Sequence, residues 1–190
     1  MTNALLIQNA RLLDPGQQID RIGCLLIRDG RIAWWGGKDE CPAGSRFDVL
    51  NAGGLVVCPG FIDLHCHLRE PGFIEKETIA TGTKAAARGG FTTVCCMPNT
   101  QPPLDNIETI SYVKARAEKE GTVRVLPIAC VTRGRKGEEL VDMESLARVG
   151  IAGFSDDGDP VRTDELMRQA LHKSQKLNLP GIDHCEEPIV

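Results

Sequence analysis

Apolar positions change their period near residue 59, and that change divides the chain. Before it, residues 4–13 and 24–36 are short runs rich in apolar residues and read as strands. The second stretch is interrupted by Arg28-Asp29-Gly30-Arg31, where Asp-Gly favours a tight hairpin turn. Leu55 to Cys58 reads as a further short strand. Residues 1–58 are therefore expected to form a small β module.

After Pro59-Gly60 short apolar runs alternate with longer helical ones. Phe61–His65 precedes a helix at Glu77–Arg88, Phe91–Cys96 one at Asn106–Glu120, and Val123–Val131 one at Glu138–Val149. Ile151–Ser155, a helix from Asp164 to Leu177 and a last run at Gly181–His184 continue the rhythm. Repeated β-α units predict a parallel sheet. Asp105, three residues before Glu108, has the spacing of a capping box, and Gly89-Gly90 and Gly121 are helix stops. Five strands suit either an open doubly wound sheet or part of a closed (β/α)8 barrel, and counting does not choose between them.

The length, 190 residues, allows one domain of ordinary core size, not two large ones. A formal charge of -4, without a block of like charges, gives no footprint for nucleic acid or a membrane surface. The N-terminus lacks a basic start followed by an apolar run, and no stretch has the length of a spanning helix. A cytoplasmic protein with a small-molecule partner is the expectation. The eight cysteines include the adjacent Cys95 and Cys96, form no Cys-x-x-Cys and partly sit in apolar runs, so buried reduced thiols are expected.

Chemistry concentrates at strand ends. In Asp63-Leu64-His65-Cys66-His67, alternation sends both imidazoles to one side and Cys66 to the other. Residues two apart on a strand are separated by ~7 Å, and a slight bend lets such a pair converge on one metal. His is scarce, four in all, and two lie in this tripeptide. Asp156-Asp157-Gly158 follows the fourth strand and His184 ends the fifth. Taken singly, Asp-Asp-Gly is an ordinary turn and His184 a satisfied histidine; in a parallel barrel, however, all these strand ends lie on one face. His172, mid-helix among charged residues, is expected at the surface, and Cys66 and Cys185 are expected to pack rather than ligate.

The run Pro59-Gly60-Phe61-Ile62-Asp63-Leu64-His65-Cys66-His67-Leu68-Arg69-Glu70-Pro71-Gly72 resembles the first-strand motif of the amidohydrolase superfamily, specifically of the longer-chain bacterial dihydroorotases. Gly89-Gly90-Phe91-Thr92-Thr93-Val94-Cys95-Cys96-Met97-Pro98-Asn99-Thr100 resembles their second-strand motif, and Phe154-Ser155-Asp156-Asp157-Gly158 their fourth. The resemblance implies an α/β protein: a partial (β/α)8 TIM barrel of about five strands over residues 59–190, preceded by a module belonging to a composite β-sandwich. It implies two Zn2+ ions, with His65 and His67 on the first, Asp157 bridging and His184 on the second. Arg69, Asn99 and His67 resemble substrate-binding residues, and a bidentate guanidinium suits a planar carboxylate. The implied reaction is the interconversion of dihydroorotate and N-carbamoyl-L-aspartate in pyrimidine synthesis. The family's catalytic aspartate and a further histidine ligand would fall beyond Val190, so the chain is expected to be a truncated product, inactive alone and exposing strand edges.

Three other readings stay open at this point, one of them a metal-binding fragment with no role of its own. A hydantoinase or allantoinase normally carries a bridging lysine where this sequence has Asp156-Asp157. A non-catalytic dihydroorotase-like protein would instead support a pyrimidine-pathway enzyme or a second copy of itself.

Overall fold

A computed structural model describes residues 4–43 and 47–186; Glu187, which closes the last candidate motif, lies outside them. Contacts divide the chain into two compact units, Met1–Pro59 and Gly60–Val190.

The first unit is a five-stranded sheet: β1 (Ala4–Asp14), β2 (Ile19–Arg28), β3 (Arg31–Gly37), β4 (Asp48–Asn51) and β5 (Val56–Val57). Its order is β3-β2-β1-β4, with β5 also paired to β1. The hairpins β1-β2 and β2-β3 are antiparallel, whereas β4 and β5 run parallel to β1. Asp29 and Gly30 both have positive φ, as the tight turn at this dipeptide requires. An extra residue enters β1 between Ile7 and Ala10, where Asn9 adopts φ 61°; asparagine tolerates the left-handed region better than most side chains. Alternation splits the apolar residues into two clusters, one around Ile7, Ala10, Leu12 and Leu25, the other around Leu6, Cys24 and Leu26.

Cys24 and Cys41 form a disulfide, which corrects the expectation of uniformly reduced thiols. Cys24 is an inward residue of β2, and a 3-10 turn at Lys38–Glu40 returns the chain so that Cys41 packs on the same cluster. Cys58 and Cys185 are free but exposed, while Cys95, Cys96 and Cys130 are free and buried as expected.

The second unit is a parallel sheet in the order β6-β7-β8-β9, formed by β6 (Phe61–Cys66), β7 (Phe91–Cys96), β8 (Arg124–Ala129) and β9 (Gly153–Phe154). Helices α1 (Ile79–Arg88), α2 (Ile107–Glu120) and α3 (Met143–Val149) join successive strands, and α4 (Asp164–Lys176) follows β9. Each helix presents a narrow apolar stripe, for example Ile110 and Val113 of α2 and Met143 and Leu146 of α3. These stripes meet the sheet around Phe154, which is fully buried and whose burial contributes about 1.5–3 kcal/mol. Close approach at the start of β6 needs glycine: a Cβ on Gly60 would lie 2.0 Å from Thr92 Cγ2. The mixed α/β architecture is thus a curled parallel sheet, part of a barrel, plus a separate sheet.

Several element ends differ from expectation by a few residues, and three differences have a clear physical reason. The run Gly181–His184 is not a strand; it makes a single parallel bridge, Phe154 to Gly181, because its partner β9 is itself only two residues long. Helix α3 starts at Met143 rather than Glu138, since Thr132 and Leu140 form an antiparallel bridge and Asp142 caps the helix by accepting from Ser145 N. The cap of α2 is Asn106, accepting from Thr109 N at 3.0 Å, while Asp105 accepts from Gly134 N at 2.8 Å.

Candidate metal centre

The strand pattern around His65 and His67 is not a plain alternation. Between Asp63 and Cys66 the pairing of β6 with β7 shifts register, advancing three residues on β6 for two on β7. Such a bulge bends a strand and re-aims side chains. The two imidazole rings consequently approach to 5.2 Å between centroids, at 74° to each other. Cys66 turns the opposite way, half-buried against the core, where burial pushes its thiol up to about 12. It stays protonated at neutral pH, a poor ligand.

Asp157 arrives from the end of β9. Its Oδ1 lies 3.2 Å from His65 Nε2 and its Oδ2 3.7 Å from His67 Nε2. Among the described residues this trio alone forms a group of three or more potential ligands, with ligand atoms within 4.8 Å of one another. Two ligands of one tetrahedral zinc, each ~2.1 Å from the ion, are about 3.4 Å apart, so the donor set fits. Nitrogen lone pairs facing carboxylate oxygens repel unless a cation or proton lies between them.

Asn99, just past β7, connects the set. Its Nδ2 donates to Asp157 Oδ2 at 2.7 Å, which leaves Oδ1 facing His67 Nδ1 at 3.0 Å. Oδ1 can only accept, so His67 Nδ1 carries a hydrogen, which in the neutral ring leaves the lone pair on Nε2. One amide hydrogen of Asn99 remains to be donated.

Asp156 faces the other way. Its carboxylate accepts from Val131 N at 2.8 Å, from Thr132 N at 3.1 Å and from the Thr132 hydroxyl. Burial raises its carboxyl above the usual carboxylate range, against the lowering effect of these hydrogen bonds. Arg135 fastens the same segment by donating to the carbonyls of Asp156 at 3.0 Å and Asp157 at 2.7 Å, and to Asp159. The adjacent carboxylates are therefore sorted: Asp156 ties the ends of β8 and β9 together, and Asp157 is left for the histidines.

His184 is not brought to this group. It is exposed, with Nε2 3.3 Å from Glu186 Oε2, because the segment carrying it does not continue as a strand. His172 is exposed on α4. Arg69 sits on the β6-α1 loop with φ 59° and forms no ion pair among the described residues. The next residue, Glu70, was not singled out in sequence. It is 3% exposed and accepts from Ile79 N, Tyr112 Oη and Arg116 Nε, each at 2.9 Å. Burial alone would raise its carboxyl, but these donors outweigh burial and hold it below the usual range.

Comparison with known proteins identifies the family of the chain. Dihydroorotase of Aquifex aeolicus is 42% identical over 183 residues, covering 96% of this chain and 43% of that protein. Dihydroorotase of Geobacter sulfurreducens is 46% identical with the same coverage. The chain thus spans about 43% of the length of these curated relatives. Among solved structures, L-hydantoinase (dihydropyrimidinase) from Arthrobacter aurescens superposes with a TM-score of 0.80 at 19% identity, over 98% of this chain and 41% of that one. D-hydantoinase (dihydropyrimidinase) from a Thermus species gives 0.73 at 27% identity, over 96% and 40%. The family model described as dihydro-orotase-like matches residues 54–190, and the chain belongs to that family.

Proposed function

We propose that the protein of which this chain is part hydrolyses a cyclic amide, interconverting dihydroorotate and N-carbamoyl-L-aspartate in the cytoplasm. The observation that carries the reading is the trio His65, His67 and Asp157, a carboxylate meeting two imidazoles at the sheet's C-terminal end. The names of the relatives, dihydroorotase at 42% and 46% identity, support the substrate.

A zinc pair, when bound, supplies a water ionised near neutral pH and polarisation of the ring carbonyl. His65 and His67 would hold one ion, Asp157 would be shared with a second, and His184 would join that second ion, as the family resemblance implies. Asn99 keeps His67 in the tautomer that ligates. Arg69, and the remaining amide hydrogen of Asn99, would bind the substrate's carboxylate and orient the ring. In the forward direction water adds its oxygen to the ring carbonyl carbon, the C–N bond breaks and the ring nitrogen takes a proton.

A hydantoinase function is supported by the fold neighbours, yet the end of β9 offers Asp156-Asp157 and no lysine to bridge metals. The test is turnover by the full-length zinc-loaded protein, followed chromatographically, with dihydroorotate and hydantoin side by side. Preferential ring opening of dihydroorotate is expected; preference for hydantoin, or zinc-independent turnover, would overturn the reading.

A further inference from the structure

The loop between β6 and α1 is fastened at more points than a metal site requires. Glu70 is the main anchor, receiving donors from the first turn of α1 (Ile79 N) and from one face of α2 (Tyr112 and Arg116, four residues apart). Arg116 is itself held by Glu120 at 2.6 Å. Around Glu70, the carbonyl of Arg69 accepts from Phe73 N at 2.9 Å and that of Pro71 from Gln101 N at 3.0 Å. The second bond joins this loop to the one carrying Asn99.

Inside this frame Arg69 keeps a left-handed backbone, φ 59°, which costs an arginine on the order of 1 kcal/mol and persists only where neighbours impose it. Its guanidinium has no ion-pair partner among the described residues, although Glu70 is its neighbour in sequence. A buried carboxylate fixes the backbone one residue away from an arginine held in a strained conformation. We infer that Glu70 is a positioning residue: anchored by Ile79, Tyr112 and Arg116, it holds the backbone of Arg69 so that the guanidinium meets the substrate's carboxylate. The inference rests on the function proposed above and extends it to a residue that touches no substrate.

Tested in the full-length zinc-loaded protein, Glu70→Gln should weaken binding of N-carbamoyl-L-aspartate, measured by calorimetry, on the order of tenfold, since small displacements of a clamp are costly. KM for dihydroorotate should rise in parallel while kcat stays within about twofold. Because Glu70 acts through Arg69, its effect should vanish in an Arg69→Ala background, a coupling that loss of stability alone would not produce. Tyr112→Phe, which removes one donor and keeps the carboxylate, should show a smaller KM effect of the same kind and the same coupling, and decides the matter if Glu70→Gln does not fold. Additive losses in the double variants, or an unchanged dissociation constant, would overturn the inference alone. A wild-type protein inactive on dihydroorotate would overturn the proposed function and the inference with it.

Discussion

Replacing Asp156 by alanine tests whether the sorting of the paired aspartates is a matter of hydrogen-bond supply. The carboxylate is 4% exposed and accepts from two backbone amides and a hydroxyl, on Val131 and Thr132, which are themselves buried. Alanine leaves two N–H groups without acceptors in a space closed to water, and each orphaned donor costs about 1–3 kcal/mol. The Thr132 hydroxyl can turn elsewhere. Part of the loss is offset because Asp156 no longer has to be buried as an anion, the effect that raises its carboxyl. A net destabilisation of about 2–4 kcal/mol is expected. Asparagine keeps one oxygen for the amides and turns its NH2 toward the hydroxyl, which can accept, so its cost should stay near 1 kcal/mol. Urea unfolding gives the total. Hydrogen exchange at Val131 and Thr132 gives the local share, with tenfold faster exchange for every ~1.4 kcal/mol lost. Alanine no worse than asparagine, or unchanged exchange at both amides, would refute the reasoning.

Other outcomes follow from the same geometry. Glu70 titrates below its ordinary value in the folded state, so its contribution is complete above the unfolded carboxylate's ~4.3 and disappears as pH falls through the lowered folded value. The stability gap between wild type and Glu70→Gln, measured by urea unfolding, should therefore be constant above about pH 5 and shrink below about pH 4. Asn99→Ala should weaken zinc binding, measured by competition with a chelator, on the order of 10- to 100-fold by freeing the His67 ring, and Asp157→Ala more severely. Reduction of Cys24–Cys41, which closes a 17-residue separation, should lower the denaturation midpoint of the first unit by an amount equivalent to about 3 kcal/mol. Thr83→Val removes a buried hydroxyl that donates to Ile79 O at 2.6 Å and accepts from Thr122 N at 3.1 Å, and should cost about 1–3 kcal/mol in the same assay.

Much of the second unit was legible because its elements carry their own periods. Phe91–Cys96 forms a strand with the expected ends, and the stops at Gly89 and Gly121 lie where the helices end. Strand β4 escaped notice since Asp48-Val49-Leu50-Asn51 is short and all four residues are exposed, so no half-buried alternation marks it. The expected fifth strand failed for the opposite reason: Gly181–His184 has a plausible pattern but a partner too short to pair with beyond one bridge. At the site, alternation brought out His65 and His67, chain order the pair Asp156-Asp157, and the family resemblance the choice of Asp157. The bulge that draws the rings together depends on how β6 pairs with β7, which no local pattern encodes. Glu70 was overlooked for a related reason, as its partners on α2 lie 42 and 46 residues away. The hint available in sequence was Tyr112 and Arg116, a phenol and a guanidinium spaced to share one helical face.

The Asn99 carboxamide makes the centre directional before any ion arrives. Because a carboxylate can only accept, the amide must turn its NH2 toward Asp157, and that choice dictates which nitrogen of His67 keeps a hydrogen. An incoming cation then meets an imidazole already aimed, with no ring to flip. Swapping Asn99 for aspartate, nearly the same in shape, would erase the polarity of this relay by setting two acceptors face to face.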